Sequence, residues 1–416
     1  MVRKIRAYKH VFGLFLFLSL CILFYYSLKT TLHKYKDSPI SLVIASSQKL
    51  SPHDEHMKRL YENSLKWSSY SKGLKMKYLL ENPIYAKWNM SKAKKKKKVT
   101  ILLVVSSGPK RFDRRQAIRE TWWTQCKVTG NVVPECIFFT DRQQPGDKYY
   151  ENLLSEYNKY GDIQFQPLRG GVEFGMRFLY HLVWAMNYYE FDYFLRSDDD
   201  YFLCFERFLL ELPQPMQKEF HWGFVHCISE LVRPEESLIL LSRDLVEIFL
   251  SQPPQLILCH PLADQMIGVW VTGLGMNNLY RHDYRLHHAP IVDQAPHLRN
   301  KKNICRKFIG IHGTYSNDMH LFWQSKGMPL INKTVKDLNE KLGNLITNSE
   351  VCELVHNFNY LNFEPEWQYE PQRCIYNPLW DTGKQAVLDG VYIGRQDDHR
   401  LAKEDIKNFV NKKKSF

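Results

Sequence analysis

The alternation of apolar and amphipathic segments between residues 99 and 198 is the feature that most constrains the fold. Four β-branched or aromatic runs are typical of buried strands, and the stretches between them have helical periodicity. Strands that alternate with helices pair in parallel through right-handed crossovers. The sequence therefore predicts an α/β domain with a mostly parallel central sheet flanked by helices. The predicted strands cover 99–107, 135–141, 163–168 and 192–197, and the predicted helices cover 111–123, 148–161 and 175–190.

The first predicted strand is not followed by a phosphate-binding glycine motif. Neither GxGxxG nor GxxxxGK[ST] occurs after residue 107, which argues against a dinucleotide or P-loop site. In sheets of this type, ligands bind beyond the carboxyl ends of the strands. The fourth predicted strand ends in three consecutive aspartates, Asp198, Asp199 and Asp200, and they therefore fall where a site is expected.

The spacing of these aspartates points to a metal ion. Side chains alternate along an extended segment, so Asp198 and Asp200 share one side while Asp199 faces the other. Two carboxylates on one side can hold a hard cation such as Mg²⁺ or Mn²⁺, which bridges diphosphate oxygens. Such a cation would offset the repulsion among the three charges and stabilise a leaving diphosphate. An acidic turn without a metal is the alternative interpretation.

The helix after the first strand carries a strongly basic face. Arg115 and Arg119 are four residues apart and share that face, and Arg114 lies beside them. Arginines at this end of the sheet could hold a nucleotide diphosphate or its ribose. A solvated basic helix face is an equally simple interpretation.

The N-terminal part of the chain indicates a membrane anchor. Residues 11–28 form an uncharged apolar run of 18 residues after a basic segment, residues 1–10, and about 20 residues span a bilayer. A cleaved signal peptide is the alternative, but its apolar region is normally shorter. Residues 29–98 have the polar composition of a stem that ends in a lysine run. The net charge of +13 and this lysine run also fit nucleic-acid binding, which a membrane anchor disfavours.

The cysteines agree with an oxidising compartment. Eight of the nine lie outside the apolar run and no C-x-x-C pair occurs, which favours disulfides over a zinc ribbon. Cys126 and Cys136 could close a short loop, although pairing cannot be read from a sequence. Asn89 and Asn332 begin N-x-[ST] sequons and are candidate glycosylation sites.

Three segments together resemble the β1,3-galactosyltransferase family, which includes β1,3-N-acetylglucosaminyltransferases and the Fringe enzymes. The segments are "RRQAIRETWW", "YGDIQFQPL" and "YFLRSDDDYFL", and the resemblance covers residues 99 to about 325. It implies a single-pass type II Golgi membrane protein with a lumenal catalytic domain of the GT-A fold. It also implies Mn²⁺, a UDP-sugar donor, inversion at the anomeric carbon and a β1,3 linkage to a glycan on a glycoprotein or glycolipid.

The same resemblance assigns roles to individual residues. Asp264 in "ADQMIGVW" is similar in position to the family's general base, although Ala263 and Gln265 replace the usual Glu and Val. A helix N-terminal aspartate is the structural alternative for Asp264. His312 in "FIGIHGTYSNDMHLFW" would complete the metal site, with His320 as the second choice. By the same resemblance, Asp198 and Asp200 would hold the metal, and Arg115, Arg119 and Asp199 would contact the nucleotide sugar.

Two departures from the family pattern bear on function. The segment 233–249 lacks the glycines of the family's Cys-Ser-Gly-x-Gly-Tyr stretch, and residues 336–416 form a C-terminal extension that matches nothing in the family. The catalytic domain is expected at 99–335. The main functional alternative is a catalytically inactive relative that binds glycans or partner enzymes. A two-carboxylate glycosidase, which needs neither metal nor nucleotide, is a further alternative.

Overall fold

The computed structural model describes residues 76–168, 174–228, 231–276, 279–288, 296–327, 345–347, 352, 369–378, 387–388 and 391–392. All of them belong to the larger of two units of the chain, residues 59–416. Among these residues, no helix combines the length and the apolar character needed to cross a membrane. The expected cytoplasmic tail, anchor at 11–28 and most of the stem lie outside the described residues.

The secondary structure follows the expected alternation of strands and helices up to residue 198, and most strands after that residue are short. The strands are β1 Lys97–Ser106, β2 Pro134–Asp141, β3 Ile163–Gln166, β4 Tyr189–Asp198, β5 Tyr201–Leu203, β6 His221–Trp222, β7 Val225–Ile228, β8 Leu231–Pro234, β9 Leu238–Ser242, β10 Leu258–Cys259, β11 Arg281–His282, β12 Leu286–His287, β13 Gly310–His312, β14 Ile346–Thr347, β15 Gln372–Arg373, β16 Val387–Leu388 and β17 Val391–Tyr392. The helices are α1 Met76–Glu81, α2 Pro83–Ala86, α3 Phe112–Glu120, α4 Tyr150–Tyr160, α5 Phe174–Tyr188, α6 Phe205–Glu211, α7 Arg243–Leu250, α8 Ala263–Gly273, α9 Ile304–Lys307 and α10 Ser316–Gln324.

The central sheet has six strands in the order β3-β2-β1-β4-β9-β6. The four strands β3, β2, β1 and β4 are parallel, as predicted, and β9 and β6 add antiparallel pairs at one edge. Helix α4 ends where the sequence indicated, since Gly161 takes the left-handed conformation (φ 66°) that favours glycine after a helix. The chain therefore has a mixed α/β fold with a mostly parallel central sheet.

The apolar core fills both faces of the sheet. Helix α5 is buried along almost its whole length and packs against the sheet and α8, which explains why most of its residues are apolar. On the opposite face, the indole of the fully buried Trp122 packs against Phe205. Alternate residues of β1 enter the two cores, with Leu102 and Val104 on one side and Ile101 and Leu103 on the other.

Packing begins upstream of residue 99, where the catalytic domain was expected to start. Leu79 in α1 and Ile84 and Tyr85 in α2 are each about 1 % exposed and belong to the core beside α5. Polar residues surround these few apolar residues in the sequence, so its composition led to their assignment to the stem. Part of the segment that was predicted as stem is therefore folded with the α/β domain.

Four disulfides connect the eight cysteines beyond residue 30. Cys126 and Cys136 close the short loop that the sequence allowed, and Cys204 is bonded to Cys305. The other two disulfides, Cys227–Cys352 and Cys259–Cys374, join β7 and β10 to the C-terminal extension. The extension is therefore covalently fixed to the domain at two points.

Candidate active site

The three aspartates lie where the order of the sheet reverses. Strands β2 and β4 flank β1 on opposite sides, so a crevice opens beyond the carboxyl ends of β1 and β4. In this register Ser106 at the end of β1 is opposite Asp198 at the end of β4. Asp199 and Asp200 follow in a turn before β5. The sheet topology thus brings the carboxylates to the edge at which α/β folds bind ligands.

Two buried arginines offset the repulsion among the aspartates. The Nη2 of Arg196 lies 2.7 Å from Oδ1 of Asp198. The Nη1 of Arg114 lies 2.7 Å from Oδ1 of Asp199 and 3.7 Å from Oδ2 of Asp200. A carboxylate with two oxygens has about four lone-pair positions, so contact with an arginine leaves it able to bind a cation as well. The cluster is therefore stable in the absence of a metal and still rich in ligand oxygens.

Asp199 differs from its two neighbours in the direction of its contacts. It accepts hydrogen bonds from the hydroxyl of Ser107 at 2.7 Å and from Arg114 at 2.7 Å. These contacts tie the turn after β4 to the loop after β1 and to α3. The alternation expected for an extended segment does not apply, because Asp199 and Asp200 lie in a turn, and Asp199 faces Ser107 and Arg114.

His312 joins Asp198 and Asp200 through a second, smaller sheet. Strand β13 is antiparallel to β5, and His312 is opposite Tyr201, the residue after Asp200. One ligand atom from each of Asp198, Asp200 and His312 lies within 4.8 Å of the others. The Nδ1 of His312 lies 2.7 Å from the carbonyl oxygen of His288, which can only accept, so Nδ1 carries the proton. In the neutral ring, the lone pair of Nε2 is then available, and Nε2 lies 3.7 Å from Oδ1 of Asp200.

His320, the second choice for this position, lies elsewhere. It is part of α10, and its Nε2 is 2.9 Å from the carboxylate of Glu120 at the end of α3. The ring is close to half exposed. The hydrogen bond to the Ser316 carbonyl contributes most to the raised pKa of His320, and the pairing with Glu120 adds to it. Between the two histidines, the structure brings only His312 to the aspartates.

Glu235 and His226 form a supporting layer that the sequence did not reveal. Oε1 of Glu235 is 3.8 Å from Nδ1 of His312, and Oε2 is hydrogen-bonded to Nε2 of His226. Burial alone would raise the pKa of Glu235, but the bond to His226 and the nearby His312 hold it well below its usual range. A charged carboxylate beside the protonated Nδ1 favours the orientation in which Nε2 faces Asp200.

Asp264 lies in the first turn of α8, as its sequence position suggested. Its Oδ2 accepts a hydrogen bond from Nε of Arg233 at 2.8 Å, and the side chain is 11 % exposed. Arg233 is two residues before Glu235, so their Cα atoms are at most about 7 Å apart. The short segment 233–236 therefore links the surroundings of Asp264 to those of His312, through Arg233 on one side and Glu235 on the other.

Arg115 and Arg119 take part in an internal ion-pair network. Arg115 is fully buried, forms two hydrogen bonds with Glu156 of α4 (2.8 and 2.6 Å) and donates to the carbonyl of Gly108 at 2.7 Å. Arg119 binds Glu156 at 2.7 Å and both oxygens of Asp162 at 2.8 Å. These contacts hold α3 against α4. They favour a structural role, and the predicted contact with a nucleotide has no support in them.

Arg114 is the arginine of this helix that faces the aspartates. Sequence reasoning grouped it with its neighbours, because spacing shows which residues share a face and not which face meets the site. A usable signal was present for Arg196, which precedes Asp198 by two residues and therefore lies on the same side of β4. Glu235, Arg233 and His288 carried no comparable signal.

The two candidate glycosylation sites differ in what the structure describes. Asn89 follows α2 and is exposed, as an acceptor asparagine must be. Asn332 lies outside the described residues.

Comparison with known proteins supports the resemblance in the sequence. Residues 113–233 match the family model described as Galactosyltransferase. The chain is 32 % identical over 167 residues to lactosylceramide 1,3-N-acetyl-beta-D-glucosaminyltransferase B of Danio rerio, which covers 38 % of this chain and 44 % of that protein. It is 26 % identical over 137 residues to beta-1,3-galactosyltransferase 6 of Mus musculus, covering 32 % and 42 %.

A human protein gives a similar match. Lactosylceramide 1,3-N-acetyl-beta-D-glucosaminyltransferase of Homo sapiens is 26 % identical over 158 residues, which cover 36 % of this chain and 42 % of that protein. These matches span less than half of each relative's length. Among solved structures, the apo form of the bifunctional glycosyltransferase WbbM has a TM-score of only 0.30 at 10 % identity, over 58 % of this chain and 51 % of that one. That likeness is too weak to bear on the fold.

The matched segment runs from α3 to the end of β8 and contains Arg114, the three aspartates and Arg233. Asp264 and His312 lie beyond residue 233, where the family model ends. The sequence motifs, the family model and the curated relatives agree that segment 113–233 is similar to galactosyltransferases, among them β1,3-N-acetylglucosaminyltransferases and β1,3-galactosyltransferases.

Proposed function

We propose that the chain is an inverting glycosyltransferase of the GT-A type. It transfers galactose or an N-acetylhexosamine from a UDP-sugar to a hydroxyl of a glycan, on a glycoprotein or glycolipid, in β1,3 linkage. The observation that carries this proposal is the cluster of Asp198, Asp200 and His312 at the switch point of the sheet, next to a segment that matches the family. The relatives named for β1,3 transfer of N-acetylglucosamine or galactose support the linkage and the choice of sugars.

The donor set of the cluster fits Mn²⁺. Two carboxylates and one imidazole combine oxygen and nitrogen ligands, which suits Mn²⁺ better than Ca²⁺. Asp198, Asp200 and His312 would hold the ion, since their ligand atoms already lie within 4.8 Å of one another. When bound, the cation would offset the negative charge that develops on the departing diphosphate.

Arg114 and Asp199 are the residues that we assign to the donor. Arg114 is buried between Asp199 and Asp200, and its guanidinium lies over the ring of Tyr315 at 4.8 Å. A planar guanidinium in this position suits a phosphate oxygen, with which it can form paired hydrogen bonds. Asp199, fixed by Ser107 and Arg114, would accept a hydrogen bond from the donor sugar.

Asp264 is our candidate for the general base. In a direct displacement, the acceptor oxygen forms a bond to the anomeric carbon of the sugar while the bond from that carbon to UDP breaks. The acceptor hydroxyl proton passes to a carboxylate oxygen of Asp264. Arg233 fixes the orientation of that carboxylate through the 2.8 Å contact to Oδ2.

The proposed compartment is the Golgi lumen, with residues 11–28 as a signal anchor. Four disulfides in one domain are typical of proteins that fold in an oxidising compartment. The exposed Asn89 is compatible with glycosylation there. Nucleic acid is not an expected partner in this setting.

The test is a donor screen with the full-length chain in detergent. We expect Mn²⁺-dependent UDP release from one of UDP-galactose, UDP-N-acetylglucosamine or UDP-N-acetylgalactosamine when a β-galactoside acceptor is present, and a β1,3 linkage in the product by NMR. Release that does not depend on an acceptor would indicate hydrolysis. The absence of release with every donor, together with retained glycan binding, would favour the inactive relative.

A further inference from the structure

The C-terminal extension reaches the candidate active site through residues 369–378. Strand β15 is antiparallel to β10, with Arg373 opposite Leu258, and the backbone N–H of Cys374 donates to the carbonyl of Ile257 at 3.0 Å. The Cys259–Cys374 disulfide closes the same contact, with Cα atoms 5.0 Å apart. This part of the extension is therefore fixed to β10, four residues before the helix that carries Asp264.

Tyr369 lies against His260, the residue after the bonded Cys259. The two rings are 6.1 Å apart and nearly perpendicular, and the imidazole also forms a hydrogen bond with the backbone of Tyr369. His260 is fully buried, and burial lowers its pKa to about 4, with Asp264 opposing this effect and Arg233 adding to it. His260, whose ring lies beside that of Tyr369, precedes Asp264 by four residues, and its Nδ1 accepts a hydrogen bond from the N–H of Leu262, the residue before α8, at 3.1 Å.

The loop between β10 and α8, residues 260–262, has no room to shift towards α5. The N–H of Gly175 donates to the carbonyl of Pro261 at 2.8 Å. A Cβ at position 175 would lie only 2.0 Å from the carbonyl oxygen of His260, which explains the glycine there. The loop that carries the ring beside Tyr369 is therefore held by packed backbone on the side of α5.

A second disulfide anchors the extension beside the metal ligands. Cys352 is bonded to Cys227, and the residue before Cys227 is His226, which holds Glu235 next to His312. The two disulfides thus join the extension to β7, the partner strand of β8, and to β10, which precedes α8.

We propose that residues 369–373 form one wall of the acceptor-binding site, and that the ring of Tyr369 contacts the terminal sugar of the acceptor as its hydroxyl approaches Asp264. This inference rests on the proposed function. A half-buried tyrosine combines a rigid apolar face with a hydroxyl, which matches a sugar ring with its C–H face and polar edge. Since the family's usual glycine-containing stretch is absent from 233–249, the extension supplies a surface on the acceptor side that this stretch does not.

The experiment compares the binding of two ligands to the full-length chain in detergent. The probes are methyl β-lactoside for the acceptor side, followed by saturation-transfer NMR, and UDP with Mn²⁺ for the donor side, followed by calorimetry. We expect Tyr369→Ala to weaken lactoside binding about fivefold and to leave UDP binding unchanged. Tyr369→Phe keeps the ring and should retain most of the affinity. Tyr376→Ala is the matched control, because Tyr376 is 73 % exposed in the same segment.

Several outcomes would overturn the inference. Equal lactoside affinity of Tyr369→Ala and wild type would do so, as would an equal loss in Tyr376→Ala or a parallel loss of UDP binding. If Tyr369→Ala does not fold, Tyr369→Leu, which keeps bulk without an aromatic face, replaces it. If the wild-type chain binds neither lactoside nor any other glycan of a neutral and acidic panel, the acceptor wall is wrong. Glycan binding that depends on Tyr369, without transfer from any donor, would support this inference and overturn only the proposed function.

Discussion

The two sides of the candidate active site are built in different ways. The carboxylate side consists of Asp198, Asp199 and Asp200, which are consecutive in the chain and are offset by two arginines. The base side consists of Asp264, Arg233 and His260, and the C-terminal extension reaches it through a disulfide. The carboxylate side lies within the segment that matches the family, whereas Asp264 and His260 lie beyond it.

This difference suggests which side of the site should follow the family pattern and which side should depart from it. At the carboxylate side, the end of β4 and the turn that follows it position all three charges, so few other residues are needed to define them. At the base side, every member comes from a different element, and each contact depends on loops and disulfides. The chemistry of the donor is therefore expected to follow the family, while acceptor recognition is expected to depend on features particular to this chain.

The largest effect is expected at the carboxylate side from Asp200→Asn. The substitution keeps the shape of the side chain but removes a ligand charge, so we expect transfer to fall about 1,000-fold. Mn²⁺ affinity, measured by electron paramagnetic resonance, should fall in parallel. Asp147→Asn is the matched control, because Asp147 is an exposed loop carboxylate. Unchanged Mn²⁺ binding in Asp200→Asn would show that the metal site lies elsewhere.

At the base side, Asp264→Asn is expected to lower transfer about 100-fold or more, since a positioned general base contributes this much. The affinity for UDP with Mn²⁺ should not change, which separates the two sides. Asp244→Asn is the control for a purely structural role, because Asp244 also lies in the first turn of a helix. A similar loss in both variants, together with a lower melting temperature, would mean that Asp264 only stabilises α8.

The segment between the two sides gives a smaller effect. Glu235→Gln removes the charge beside Nδ1 of His312, and we expect Mn²⁺ affinity to fall about tenfold, as for other residues that orient a metal ligand. Glu247→Gln, in a partly exposed pair with Arg243, should leave the affinity unchanged. Wild-type Mn²⁺ affinity in Glu235→Gln would show that the carbonyl of His288 alone orients the ring.

The fold was predictable as far as its signals were local. Continuous apolar runs identified β1 to β4, and the alternation with helices identified their parallel pairing. The antiparallel edge strands β9 and β6 were not identified, because β9 lies in a mixed apolar stretch and β6 has only two residues. The cysteine count indicated disulfides, but the pairs Cys227–Cys352 and Cys259–Cys374 join residues more than 100 positions apart, which no local pattern encodes.

For the site, the sequence identified the residues that the structure brings together as a possible metal site, and it did not identify their partners. Asp198 and Asp200 could be named because a strand end and a family motif both pointed to them, and His312 could be named from the family resemblance alone. Glu235 could not, since its contact with His312 depends on how a short hairpin folds over β13. The arginines of α3 show the same limit. Helical periodicity predicts which arginines share a face of the helix, but the tertiary packing determines which residues that face contacts.

The smallest effect on ligand binding is expected from Arg115, and it separates the two interpretations of α3. Arg115→Met should lower the free energy of unfolding by about 3 kcal/mol, because a buried ion pair with Glu156 is lost, while Arg119 still contacts that carboxylate. UDP affinity should stay within twofold of wild type.

Arg114→Met should show the reverse, with weaker binding of UDP in the presence of Mn²⁺, since Arg114 contacts Asp199 and Asp200. Urea unfolding and calorimetry on both variants measure the two quantities. A tenfold loss of UDP affinity in Arg115→Met at unchanged stability would restore the nucleotide-binding role that the sequence suggested, and would place the donor on the side of α3 that faces α4.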